Sequence, residues 1–426
     1  METQSQKTLL HAWHIAYGAN MANFGGYEMP LWYPSGVRSE HLAVLTRAGL
    51  FDTSHMAVLT LRGSGARELL QYCFTKDLDG CLGAGGSCLV PGRCVYGAFL
   101  DSAGGTIDDA LVYQLCHEAY LVVVNAGMGG KIAAHLAAQR GGLSVHIEDM
   151  TDGVGKLDLQ GPLAAKILGS VLQDPQGTFD KMGYFSFKGY FSETSLPVAP
   201  VRLKDGTPLL VSRTGYTGEF GFELFIDPAH FVRLWQMLFE AGEAFGITVC
   251  GLGARDSLRV GAVLPLSHQD IGHWPFINHP WSFALPYNGA KTGFTKSFLG
   301  SKALLAIESP EFTHAFVGDD LRKVTASDPA VVLDASGTEI GVVLTCATDM
   351  GIGRQEGRIV SIASPDKPEG FEPKGLSCGF VRVKTRLAPG ERVVLKDRLR
   401  KIAVTIVEDI RPGRTARRAM RDMLQP

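Results

Sequence analysis

The chain of 426 residues contains no run of about eighteen apolar residues, which argues against a membrane-spanning helix. Charge of one sign is also missing. Lys and Arg number 41 against 43 Asp and Glu, a formal net charge of −2, so no overall field attracts nucleic acid or an anionic membrane. None of the eight cysteines forms a C-x-x-C pair, and most lie in apolar surroundings such as TVCGLG or VLTCAT. They read as reduced, mostly buried small hydrophobes rather than disulfides or zinc ligands. The crowd from Cys73 to Cys94 is too irregularly spaced for a zinc site. Also absent are a Walker loop, a GxGxxG after a strand, an HExxH helix and a G-x-S-x-G elbow. The first residues, METQSQKTLLHAWHIAYG, lack the basic, apolar and small-residue regions of a signal peptide, so the expected compartment is the cytoplasm.

Glycine, by contrast, is plentiful at 51 residues, and its distribution favours many turns between short strands. Helices are expected at Thr8 to Tyr17, Arg38 to Arg47, Ser64 to Phe74, Gly129 to Gln139, Leu163 to Leu172 and His230 to Phe245. Apolar residues also recur at helical intervals through Gly251 to Leu266. Phe24 to Gly36 reads as a loop-and-turn region, and Gly92 to Leu115 as a hairpin turning at Asp101–Gly105. Strands follow at AYLVVVNAG and at Val154 to Leu159. The order predicts an α+β fold with helices on one sheet face. Beyond Ser301 the composition changes to alternating strands with Pro-Gly turns, so an all-β domain over 306–426 follows a region spanning 1–305. Met350 to Lys374 reads as an exposed loop. The tail, with Arg411, Arg414, Arg417, Arg418 and Arg421, reads as a solvated short helix or a site for an acidic partner.

Three ionisable groups stand out. In VSRTGYTGEFGFELFI, glycines at 215, 218 and 221 permit a sharp turn or close approach to a flat ligand. Glu223 then shares a strand face with Phe225, where a carboxylate needs hydrogen-bond donors unless the face is solvated. In TIDDALVYQL, alternation places Ile107, Asp109, Leu111 and Tyr113 on one face. If that face is inward, Asp109 has a raised pKa or a partner, the setting of a general base; otherwise Asp108 and Asp109 are ordinary turn-adjacent polar residues. Arg255 in GLGARDSLR either clamps a carboxylate or carbonyl or is a helix-surface charge. His268 and His273 flank Asp270, but their spacing does not suit one helical face, and no metal is expected.

Taken in order, FGGYEMPLWY, GLFDTSHM, GGTIDDALVY, LVVVNAG, DLQGP, RTGYTGEFGFEL and CGLGARDSLR closely resemble the T-protein of the glycine cleavage system, a tetrahydrofolate-dependent aminomethyltransferase. The resemblance is strong over residues 8 to 305 and weak beyond. It implies a three-lobed α+β fold with a C-terminal β-barrel, built around a central folate channel. It implies that Asp109 serves the chemistry beside the pteridine N5 and that Glu223 accepts hydrogen bonds from the pteridine. Arg255, Tyr216, Tyr96, Met56, Leu111, Tyr113, Val123 and Asn125 match further folate-site positions. Tetrahydrofolate would be the co-substrate and a lipoylated carrier protein the donor, with no nucleic acid or membrane partner.

The chain departs from the family after G-A-R-D. A usual Glu is Gly261, and a usual Tyr-Gly is Ser267-His268. A usual Trp is replaced around Tyr287, and the S-P-x-x-G-x-x-I-A motif of the last domain is missing. These positions bear on the donor more than on folate. The alternatives are a folate-dependent demethylase using a sulfonium, methoxy or methylamine donor, and a non-catalytic folate-binding protein.

Overall fold

The computed structural model describes residues 5–83, 86–192, 196, 198–308, 310–325 and 330–425. A five-stranded antiparallel sheet, a six-stranded mixed sheet and a closed six-stranded barrel dominate an α+β architecture. The five-stranded sheet runs in the order Arg93–Leu100, Thr106–Cys116, Ala119–Val124, Ala57–Arg62, His146–Asp149. Its helical face is closed by Ala66–Cys73 and Gly129–Gln139, whose Leu69, Leu70, Ile132 and Leu136 pack on Leu59, Val112, Val122 and Val124. Helices therefore cover one face, as the strand–helix order predicts. The opposite face carries Val58, Tyr113, Leu121 and Val123 and packs against Phe187, Leu210 and Phe225 of the second sheet.

That second sheet has six strands, in the order Phe187–Lys188, Leu210–Ser212, Gly221–Ile226, Gly155–Gln160, Gly49–Asp52, Thr248–Val249. Every residue of Gly155–Gln160 and of Gly221–Ile226 is buried, because helices Ala164–Val171 and Pro228–Gly242 close one side and the first sheet lies on the other. The barrel is formed by Phe312–Gly318, Leu376–Val383, Glu339–Asp349, Val331–Leu333, Arg392–Lys396 and Lys401–Val407. Its outer residues Ala315, Val317 and Phe380 share an apolar cluster with Leu100, Val260 and Trp281.

Four sequence readings are corrected. Phe24 to Gly36 is not a loop: Asn20–Phe24 and Tyr27–Trp32 form a tight hairpin across Gly25 and Gly26, both at positive φ. The two glycines supply the backbone that a two-residue hairpin turn demands. Met350 to Lys374 contains a second hairpin, Ile352–Gln355 with Arg358–Ser361, and Ile352 and Ser361 are buried. Ile107 does not share the face of Asp109. Strand pairing slips there, with Phe99 opposite Asp108 and Leu100 opposite Thr106, so Ile107 is a bulge residue that packs toward the helices. Arg411 is not a solvated tail residue. Its side chain is fully buried, and only Met420–Leu424 of the tail is helical.

Candidate active site

A cavity of about 1420 Å³ lies where the two sheets, the helix Leu252–Gly261 and the C-terminal tail meet. Strand alternation points Tyr96, Asp109, Leu111 and Val123 of the first sheet into it, joined by Asn125 at a strand end. Glu223 reaches it from the second sheet, Tyr216 from the glycine loop, Met56 from the turn after Gly49–Asp52, and Arg255 from the helix. Tyr113 lies fully buried beneath, against Phe187, Phe225 and Glu223.

Asp109 is held from both sides. Tyr96 OH donates to Oδ2 at 2.7 Å and Asn125 Nδ2 to Oδ1 at 2.6 Å, while the Asp109 amide donates to Ser267 Oγ at 3.3 Å. Burial raises its pKa above the ordinary carboxyl value, although these hydrogen bonds oppose the rise. Asp108, wholly buried, accepts from the Asn125 backbone at 2.9 Å and from its side chain at 2.7 Å. Burial and the neighbouring Asp109 push its pKa up to about 7. One asparagine thus clamps two carboxyls that share a desolvated site, which disfavours ionising both together. Neither acid is an ordinary turn residue.

Glu223 faces a different problem. It stands directly opposite Asp158 across the strand pair, and like charges at that register repel. Lys156 resolves the conflict: its Nζ lies 2.6 Å from Glu223 Oε1 and 2.7 Å from Asp158 Oδ1. Asp158 also meets Arg255 Nη1 at 2.8 Å, and the guanidinium then lies 4.8 Å from the centre of the Tyr216 ring. The result is a row of alternating charges, Glu223, Lys156, Asp158, Arg255, buried along one wall. Thr214 Oγ1 and Tyr113 OH complete the donors to Glu223 Oε2. Arg255 is therefore not a surface charge, and the adjacent Asp256 pairs with Arg259 at 2.8 Å instead.

Lys156 and Asp158 were missed in the sequence, although GKLDLQ carries the signal. Two charges and Gln160 occupy alternate positions of a strand whose other residues are apolar. His55 was missed as well. It lines the cavity at 3% exposure with Nδ1 unpartnered, and burial and Arg255 push its pKa down to about 4. Among the described residues no group of three His, Cys, Asp or Glu side chains is arranged to hold a metal ion.

Residues 10–274 match the family described as the GCVT N-terminal domain, more than half of the chain. The chain belongs to the GCVT family. It is 35% identical over 345 residues to an aminomethyltransferase of Desulfitobacterium hafniense, covering 80% of this chain and 86% of the relative. It is 41% identical over 269 residues to one of Streptomyces coelicolor, 63% and 66% of the two chains. The fold also matches the glycine cleavage system aminomethyltransferase T from Bartonella henselae, with a TM-score of 0.73 and 26% identity over 97% of this chain and 99% of that one.

Proposed function

We propose that this GCVT-family chain is an aminomethyltransferase that moves a one-carbon unit from a lipoyl-bound aminomethyl group to tetrahydrofolate, releasing ammonia. The observation that carries this reading is Asp109, a half-buried carboxyl with a raised pKa on the wall of a cavity large enough for a folate. The lining suits a flat heterocycle with a polar edge. Tyr96, Tyr216, Leu111, Val123 and Met56 offer apolar and aromatic surface, and Glu223 and Asp109 offer acceptors for N–H groups.

In the overall reaction the aminomethyl carbon exchanges its bonds to sulfur and nitrogen for bonds to two nitrogens of the acceptor, and the protons those nitrogens lose end on the departing sulfur and nitrogen. The chain's own contribution is to hold the reactants and move protons. Glu223, held in place by Lys156, accepts hydrogen bonds from the pteridine edge and fixes its orientation. Asp109 sits where a proton leaves the acceptor nitrogen. Tyr96 and Asn125 each occupy one of its oxygens, so the carboxyl cannot rotate away. Burial excludes water and lets small dipoles act strongly.

The test supplies the full chain with tetrahydrofolate and a lipoylated aminomethyl carrier and measures ammonia. Wild type releases ammonia only when both are present, and Asp109→Asn lowers kcat by about a hundredfold or more. Methyltetrahydrofolate formed from a small methyl donor without carrier, and no ammonia, overturns the aminomethyl reading in favour of a demethylase.

A further inference from the structure

Two of the residues that depart from the family pattern, Ser267 and His268, lie against the carboxyl pair. Ser267 and His268 begin a short π-helical turn, Ser267–Ile271, a geometry common at functional sites. The turn is anchored from below. Asp270 is fully buried, accepts from the Leu266 amide at 2.9 Å and Thr345 Oγ1 at 2.6 Å, and pairs with Arg259. So anchored, the turn holds Ser267 Oγ on the Asp109 amide and sets the His268 ring beside the acids. Its Nε2 is 3.6 Å from Asp108 Oδ1, while the side chain is 44% exposed and lines the cavity. His273 lies 6.1 Å away ring to ring, and Lys131 is the other cation near it. No other imidazole in the described cavity wall stands between the two carboxyls and open solvent.

We propose that His268 is a positioning residue that relays protons between the Asp108–Asp109 carboxyl pair and solvent. The relay rests on the aminomethyl-transfer reading for its substrate, and on geometry alone for its coupling to the acids. In each passage the O–H bond of the protonated carboxyl breaks and leaves its electron pair on oxygen. The imidazole Nε2 lone pair takes the proton, and the imidazolium gives it to water. The pair is thereby returned to the state in which Asp109 accepts again. Desolvation and the cations His273 and Lys131 lower the imidazole pKa, while Asp109 opposes them, so near neutral pH the ring is available as an acceptor.

His268→Gln keeps the packing and removes the titrating group. The expected result is a fall in kcat of about tenfold at neutral pH, KM for tetrahydrofolate within about twofold, and partial rescue by imidazole in the buffer. A kcat–pH profile that superimposes on wild type overturns the relay, and so does a loss confined to KM without rescue. A second readout does not depend on turnover. The histidine resonance missing from His268→Gln is followed by NMR in wild type and in Asp109→Asn. Its titration midpoint falls in Asp109→Asn if the ring senses the acids; an unmoved midpoint overturns the coupling. A chain that turns over no aminomethyl donor refutes the function proposed above, and the midpoint still decides the coupling.

Discussion

Lys156 and Glu223 look like equal partners, yet removing either has different consequences. Lys156→Met leaves buried Glu223 without a cation and facing Asp158, which keeps only Arg255, and such a loss costs about 3–5 kcal/mol. Urea unfolding should show it as a large drop in midpoint. Glu223→Gln leaves Lys156 on Asp158, so the midpoint stays near that of wild type while the tetrahydrofolate Kd rises about tenfold or more, read by calorimetry. The Asp108–Asp109 pair makes a separate prediction about pH. A carboxyl whose folded pKa is raised keeps its proton in the fold after the unfolded chain has lost it. Stability from this group is therefore lost as pH rises from about 4 to about 7. Across that window the unfolding free energy of Asp108→Asn should gain steadily on wild type. At this scale the sequence was informative about single residues and silent about pairs. Asp109 and Glu223 announced themselves by sitting in apolar alternation, whereas Arg255 stood out only as half of an Arg-Asp pair and through the family resemblance. Which partners they take, Asn125, Lys156 and Asp158, is set by pairings between strands far apart in the chain; GKLDLQ marks two of them as unusual but not what they meet.

Among elements, the helix Leu252–Gly261 shows why a departure from a motif can be structural. A Cβ on Gly261 would overlap both Asp349 Oδ2 and Arg411 Nη1. Those two atoms form a fully buried ion pair at 2.5 Å, and Arg411 also donates to the Leu258 and Gly261 carbonyls near the end of the same helix. Barrel residue Asp349 sets its carboxylate against this glycine, and Arg411 and His41 hold its pKa well below the usual range. Gly261→Ala should cost about 1–3 kcal/mol by thermal unfolding, through overpacking. Gly261→Glu should be worse, and combining it with Asp349→Gly should recover part of the loss, a coupling that a double-mutant cycle measures. Regular elements were legible from periodicity, including Gly129–Gln139 and the Arg93–Cys116 hairpin. The bulge at Ile107 was not, because one extra residue leaves the alternating pattern on either side intact. The N-terminal hairpin was hidden by Pro30 and the aromatics around Gly25-Gly26.

Across the whole molecule, Arg411 joins three parts of the chain. It meets Asp349 of the barrel, Glu219 of the glycine loop at 3.2 Å, and the carbonyl of Leu258 in the helix. Arg411→Met leaves two buried acids without their cation, and the expected loss is again about 3–5 kcal/mol, seen as a lower urea midpoint. The tail after it continues to support the loop. Thr415 Oγ1 donates to Glu219 at 2.6 Å and accepts from the Phe220 amide at 2.9 Å, and the Ala416 amide reaches the Gly218 carbonyl at 3.1 Å. Gly218 and Tyr216 line the cavity from that loop. This arrangement has a consequence for biosynthesis. Synthesis runs from the N-terminus, so the sheets bearing Asp109 and Glu223 emerge long before Arg411 and Thr415 do. A nascent chain can pair those strands early, but the glycine loop gains its supports only once residues 411–416 have been made, so the wall of the cavity closes well after the strands that carry Asp109 and Glu223 have formed.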